Sequence, residues 1–380
     1  MNPPRRIHLA LPSLGDEEVA AAAAAIRSGW VTQGPRVEEF ERRFAAYVQA
    51  GHAVATTSAT TALHLALVAA GIGPGDEVIV PTMSFIASAN AVRHAGARPV
   101  LVDVDRRTFN LSLDGVRRAI NERTRALLPV HQIGLPCDLD ELVALAKEHR
   151  LAVIEDAACA VGARYRGRPI GQPAPLPGAT VCFSFHPRKV LTTGEGGMIT
   201  TDDGAVAARL RRLRHHGMNL SDLARHQATQ VVAEGYDEVG WNYRMTDIQA
   251  AIGVVQLRRL DHLLERRRAL AARYNAAFAG STIVPPLVPG DRTHTYQTYQ
   301  VLLDDGVDRD RIMARLLEDG IPSRRGIMNI HREPPYADQP GPFPDAEWAA
   351  DHALILPLHD TLTIDDQDYV IERLRTVVAG

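Results

Sequence analysis

Lys189 is the residue in this sequence best placed to do covalent chemistry. It follows an apolar run at 179–185 and precedes Gly194-Glu195-Gly196-Gly197 and a second apolar run at 198–201. The first run reads as a buried strand. A lysine on the loop after such a strand can be held in a partly desolvated pocket, and desolvation favours the neutral amine. A neutral amine is the nucleophile that Schiff-base chemistry with an aldehyde requires. The glycines let backbone pass close to a bulky group. Most lysines beside a glycine turn are solvated surface residues, so the reading depends on companions.

Asp156 ends the apolar run 151–155. A carboxylate at the mouth of a buried strand is costly unless a metal, a basic side chain or a protonated heterocycle meets it. No His or Cys cluster stands nearby, which disfavours the metal; a helix N-cap is the ordinary alternative. The segment Thr56-Thr57-Ser58-Ala59-Thr60-Thr61 follows another apolar run and enters a helical pattern. Small hydroxylated residues with free N–H groups at a helix start make an anion site, although plain capping uses the same residues. Ser184 could add a hydroxyl to that anion. Phe85, beyond the strand at 77–81, is either a ring platform or a core aromatic. Asn242 and Arg244 precede a long helix; Arg324, Arg325 and His331 cluster late in the chain, where a solvated basic turn is the plain reading. Trp30, His186, Arg244, Arg324 and His331 are candidate substrate contacts.

The elements that must position these residues have a clear rhythm. Apolar runs at 52–56, 77–81, 99–104, 126–130, 151–155, 181–185 and 198–201 predict seven strands. Helical stretches such as 61–70, 88–95, 113–120 and 139–148 separate most of them. Apolar strands without alternation are buried on both faces, and intervening helices supply parallel crossovers. The expectation is an α/β fold with a mainly parallel seven-stranded sheet flanked by helices. Ligands in such sheets bind at the carboxyl ends of the strands, where the polar candidates fall. An extended arm over 1–15 and helices at 16–28 and 37–50 come first. One long helix or two over 246–278 leads to strands at 296–303 and 321–324 and helices at 309–319, 346–353 and 365–376. The expected division is a large domain over 1–250 and a smaller α+β domain over 251–380.

Composition narrows the function classes. A chain of 380 residues suits one large domain and a smaller one. A net charge of −3 gives no electrostatic case for nucleic acid or an anionic membrane. Three cysteines without CxxC spacing suggest a reducing compartment and no metal site. No stretch approaches the ~20 apolar residues of a membrane span, and the N-terminus lacks a signal-peptide core. The expected location is the cytoplasm.

An amine nucleophile, a carboxylate, a hydroxyl-rich helix entrance and an aromatic platform at one sheet edge match the needs of pyridoxal 5′-phosphate (PLP). Seven blocks strengthen this: LPSLGDEEVAAAAAAIRSGWVTQGPRVEEFE, SATTALHLAL, GIGPGDEVIVPTMSFIASANAV, VIEDAACAVGA, SFHPRKVLTTGEGGMITTDD, GWNYRMTDIQAAIG and LPLHDTLT. In this order they resemble the DegT/DnrJ/StrS sugar aminotransferases of PLP fold type I, over nearly the whole chain. The resemblance implies that Lys189 is the Schiff-base lysine and that Asp156 binds the pyridine nitrogen. It implies that Ala59, Thr60 and Ser184 hold the phosphate, and that Phe85 and Ala158 lie on the two ring faces. Asn242 would serve the neighbouring subunit's phosphate, which implies a homodimer with shared active sites. Cys159 stands where many members have Gln or His beside the phenolic oxygen, and residues 323–333 form a variant of the family's substrate loop. Relatives with histidine in place of the lysine act as dehydratases; Lys189 therefore favours transamination. The expected reaction moves an amino group from L-glutamate to a keto group of a nucleotide-linked deoxysugar. A keto-cyclitol acceptor and a non-catalytic PLP-binding role are the alternatives.

Overall fold

The computed structural model describes residues 6–220, 225, 229, 230 and 233–379. Seven strands form its main sheet: β1 (His52–Thr56), β2 (Glu77–Pro81), β3 (Arg98–Val102), β4 (Thr124–Leu127), β5 (Ala152–Asp156), β8 (Thr180–Ser184) and β9 (Gly197–Thr201). Their order is β1-β9-β8-β5-β4-β2-β3. Only β9 is antiparallel to its neighbours; the remaining pairs are parallel. The mainly parallel seven-stranded sheet expected from the apolar runs is therefore present. Between β5 and β8 a hairpin of β6 (Arg164–Tyr165) and β7 (Arg168–Pro169) makes a separate three-stranded sheet with Arg292–Thr293. Pieces this short carry no periodicity, and the sequence reading did not find them.

Each face of the main sheet has its own core. One face packs Ile154 and Cys182 against Leu63, Leu67 and Val92. These come from α3 (Ala59–Ala69) and α4 (Ala87–His94). The other face packs Phe183 and Phe185 against Phe40 and Phe44 of α2 (Pro35–Val48) and Leu260 of α8 (Asp247–Phe278). The region 246–278 is thus one helix of 32 residues, about 48 Å at 1.5 Å per residue. Its start is set by a capping box: Thr246 accepts from the Gln249 N–H, and the Gln249 side chain accepts from the Thr246 N–H.

The later half of α8 buries Leu270, Tyr274 and Phe278 in a third core with Tyr299, Leu354 and Leu356. That core lines a four-stranded sheet in the order Ile283–Val284, Tyr299–Leu303, Ala353–Leu356, Arg324–Arg325. Two expectations need correction here. The strand placed at 321–324 is only Arg324–Arg325, because Ile321 is buried as a core plug and only Arg324 and Arg325 find ladder partners. The helix placed at 346–353 is Pro344–His352, and Ala353 already opens a strand. Among the described residues, no helix is long and apolar enough to cross a membrane.

Candidate active site

The carboxyl ends of β5 and β8 converge with the start of α3. Asp156, the last residue of β5, pairs in register with Cys182 of β8. Two residues on, Ser184 pairs with Gly197 of β9, and Gly197 pairs with Thr56 of β1. This row Ser184–Gly197–Thr56 leads from the lysine loop to the α3 entrance. Gly197 is the tight point: a Cβ there would lie 2.3 Å from the Ser58 carbonyl oxygen. Only glycine lets the β9 backbone approach this closely.

Asp156 is 5% exposed, and both carboxylate oxygens are engaged. The Ala158 N–H donates to Oδ1 at 3.1 Å, and the Ser88 hydroxyl donates to Oδ2 at 2.8 Å. No helix follows Asp156, so the N-cap alternative is set aside. Lys189 is half-buried on the turn after β8, with its own N–H donating to the His186 carbonyl. Its Nζ donates to the Cys159 Sγ at 3.1 Å. The loop is braced on both sides: Thr192 Oγ1 donates to the Phe185 carbonyl, and Gln297 donates to the Arg188 carbonyl. Cys137 and Cys182 are fully buried and burial pushes their thiols well up. Cys159, half-buried, is the accessible thiol.

The α3 entrance caps itself with Ser58 and Thr61: Ser58 Oγ accepts from the Thr61 N–H, and Thr61 Oγ1 accepts from the Ser58 N–H. Two of the donors that a helix start leaves open are thereby used. The N–H groups of Ala59 and Thr60 make no hydrogen bond within the described residues. Capping and anion binding therefore coexist here, on different residues. Ser184 accepts weakly from the His186 N–H, which leaves its hydroxyl proton to donate outward.

The remaining candidates divide. Phe85 is 64% exposed and so is not a core aromatic. Ala158 sits on the turn after Asp156. Asn242 is exposed on the segment whose Tyr243 carbonyl accepts from the Thr57 N–H, beside the α3 entrance. Arg244 reaches His215 Nδ1 at 2.8 Å. The Trp30 indole lies over Gly34 and donates to the Gln33 carbonyl. His186 accepts the Arg188 N–H on Nδ1, and burial pulls its pKa below the usual imidazole range. Arg324 lies on the outer strand of the smaller sheet and is exposed. The His331 ring contacts Thr82 Oγ1 at 2.6 Å, packs at a tilt against Phe343 and faces Glu347, so it joins the 82–84 segment to the later chain.

Sequence reasoning missed two residues. Ser88 was not singled out, although Ser84 and Ser88 stand four apart, the spacing that places two hydroxyls on one side of a helix start. Asp247 was also missed. Its carboxylate accepts from the N–H groups of Gly34, Arg36 and Val37, tying the Trp30 loop to the Asn242–Thr246 segment. Burial pushes its pKa up against these three donors.

This fold and strand-end geometry have direct counterparts. Residues 12–375 match the model of the DegT/DnrJ/EryC1/StrS aminotransferase family, and the chain belongs to it. It is 40% identical to the spore coat polysaccharide biosynthesis protein SpsC of Bacillus subtilis, covering 97% of this chain and 96% of that protein. Spr1654 of Streptococcus pneumoniae, assigned as a sugar aminotransferase, superposes in its PMP form with a TM-score of 0.92 at 32% identity, over 98% of this chain and 99% of the other. Its PLP form gives 0.90 at 31% identity, over 99% of each chain. PseC of Helicobacter pylori, an aminotransferase involved in the biosynthesis of pseudoaminic acid, gives 0.90 at 25% identity, over 99% of this chain and all of the other. The chain is accordingly a PLP-dependent aminotransferase of fold type I.

The residues present fit that cofactor. Two unengaged N–H groups and an outward hydroxyl suit a phosphate, a buried carboxylate suits a protonated ring nitrogen, and an exposed phenyl ring suits a planar partner.

Proposed function

We propose that the enzyme transfers an amino group from L-glutamate to a keto group of a nucleotide-linked deoxysugar. The observation that carries the catalytic part is the meeting of the Lys189 loop and Asp156 at adjacent strand ends, beside the open N–H groups of α3. The acceptor class is supported by relatives associated with polysaccharide and pseudoaminic acid biosynthesis.

When bound, PLP supplies an electron sink through which an amino group can be exchanged between donor and acceptor. The chain's residues provide the rest. The Ala59 and Thr60 N–H groups and the Ser184 hydroxyl hold the phosphate, at the positive end of the α3 dipole. Asp156 would pair with the ring nitrogen and favour its protonated form. Phe85 would cover one ring face and Ala158 the other. Cys159 Sγ would lie on the phenolic side. Lys189 Nζ would be the group that holds the cofactor's aldehyde carbon, and its free amine would be the base that moves a proton at the substrate carbon. His186 borders this loop, and Trp30, Arg244, Arg324 and His331 are assigned to the acceptor side; His331 acts there through the 82–84 segment.

Asn242, exposed and adjacent to the α3 entrance, is assigned to the phosphate of a second subunit, so the working unit is a homodimer with shared sites. Exposed Tyr236 and Val239 offer apolar surface for such a contact. The three unpaired cysteines support a cytoplasmic location.

An absorbance spectrum of the PLP-loaded protein, before and after L-glutamate, tests donor and cofactor together. The visible cofactor band should give way to a shorter-wavelength one. A band indifferent to glutamate overturns the donor. A thermal melt with nucleoside diphosphates then tests the acceptor, since a ligand of the native state raises stability. No rise with any nucleoside diphosphate would replace the nucleotide sugar by a free keto-cyclitol.

A further inference from the structure

The Asp156 carboxylate does not stand alone at its strand end. Ser88 is 1% exposed on the first turn of α4, and its hydroxyl is 2.8 Å from Asp156 Oδ2. Ser84, also 1% exposed, places its hydroxyl 3.0 Å from that of Ser88. An ionised carboxylate only accepts, so the single Ser88 proton must point to Oδ2. In the Ser84–Ser88 contact, Ser84 is then the donor. The chain runs one way: Ser84 to Ser88 to Asp156.

Both ends of this chain are held by backbone. Ser84 donates its N–H to the Met328 carbonyl, and Met83 pairs with Asn329. Gln132 donates to the Met83 carbonyl, and the Ile330 N–H donates to the Thr82 carbonyl. At the other end, the Ala158 N–H holds Oδ1 while the Asp156 N–H and carbonyl bond to Pro129 and His131. Serine hydroxyls at helix starts commonly bond to nearby backbone. Ser88 instead spends its proton on a carboxylate 68 residues away.

We propose that Ser88, backed by Ser84, is a positioning residue. It fixes the Asp156 carboxylate in the rotamer that faces the cofactor's ring nitrogen and couples it to the segment that carries Phe85. The inference rests on the assignment of Asp156 to that nitrogen. With Ser88 removed, Oδ2 loses its donor inside a buried site and the carboxylate can turn toward other partners. Cofactor binding then weakens through the ring nitrogen alone.

A comparison of two cofactors isolates this effect. Apo full-length protein is titrated with PLP and with its 1-deaza analogue, in which the ring nitrogen is replaced by C–H. Wild type, Ser88→Ala, Ser84→Ala and Asp156→Ala are compared by their dissociation constants. Ser88→Ala should weaken PLP roughly tenfold, the scale of one hydrogen bond to a charged group, and the analogue less than about threefold on the same reasoning. Ser84→Ala should show the same selectivity at smaller size. Equal weakening of both cofactors by Ser88→Ala, or of neither, overturns the proposal, as the first is a purely structural effect. Asp156→Ala separates the two levels: if it too fails to discriminate, the assignment of Asp156 falls, not only that of Ser88.

Discussion

The amine of Lys189 donates to the thiol of Cys159 across 3.1 Å, joining the loop after β8 to the turn after β5. These strands are neighbours in the sheet, so the contact follows from topology and not from a chance side-chain meeting. It brings Lys189 to Cys159, three residues after Asp156, although the two lie 30 positions apart in sequence. If Lys189 is the attachment point, Lys189→Ala should lower turnover by at least about 10²–10⁴-fold, the range for a positioned acid–base group. Borohydride treatment of the PLP-loaded protein, followed by intact mass, should add cofactor to the wild type and nothing to the variant. Cofactor mass retained in Lys189→Ala would move the nucleophile elsewhere.

Cys159 offers a thiol where the resemblance expects a stronger hydrogen-bond partner. A thiol is a weak donor and a weak acceptor. Cys159→Gln should therefore tighten PLP about threefold to tenfold, since one ordinary hydrogen bond is worth ~1 kcal/mol. Equilibrium titration of apo protein reads this directly. A looser complex would mean that the thiol's contact with Lys189 matters more than the phenolic side of the ring.

Gly197 predicts a steric effect. A methyl group there would sit 2.3 Å from the Ser58 carbonyl oxygen and 2.7 Å from Thr56 Oγ1. Both neighbours belong to the α3 entrance, and the nearer is backbone, which cannot swing aside. Gly197→Ala should cost ~1–3 kcal/mol of stability, as overpacked sites do. It should also weaken PLP more than it weakens pyridoxal, which lacks the phosphate that α3 would hold. Equal weakening of the two ligands would detach α3 from the phosphate.

The seven central strands were legible because each is buried on both faces and so reads as a continuous apolar run bounded by turns. Lys189, Asp156 and the 56–61 segment stood out because strand ends are where polar residues become informative. Ser88 and Asp247 did not, for a common reason. Each acts on a partner far along the chain, Asp156 and the 34–37 segment respectively, and no local pattern encodes that. The smaller sheet failed at its margins: Ala353–Leu356 follows a helix with no intervening turn, and Ile321 is apolar because it plugs a core, not because it pairs. His331 was legible as a residue of interest, yet its ring engages Thr82 and Phe343, which only the folded chain brings near.

His294 sets an acid-side limit on stability. It is fully buried, stacks on Tyr296 at 4.2 Å and accepts the Tyr296 N–H on Nδ1 at 2.8 Å. Burial, with Arg268 adding to it, pulls its pKa down to about 3 from the usual 6.5. In the unfolded chain the same ring protonates near 6.5, so between these values the unfolded state binds more protons. The contribution of His294 is therefore fully present above about pH 6.5 and is lost as pH falls toward about 3. One proton sets the slope at no more than ~1.4 kcal/mol per pH unit. His294→Asn keeps a side-chain acceptor for the Tyr296 N–H without a titrating ring. Urea unfolding from pH 7.5 to 5 should show a shallower acid decline in this variant than in the wild type, even if its stability at pH 7.5 is lower. Parallel declines would show that His294 is not held neutral by its surroundings.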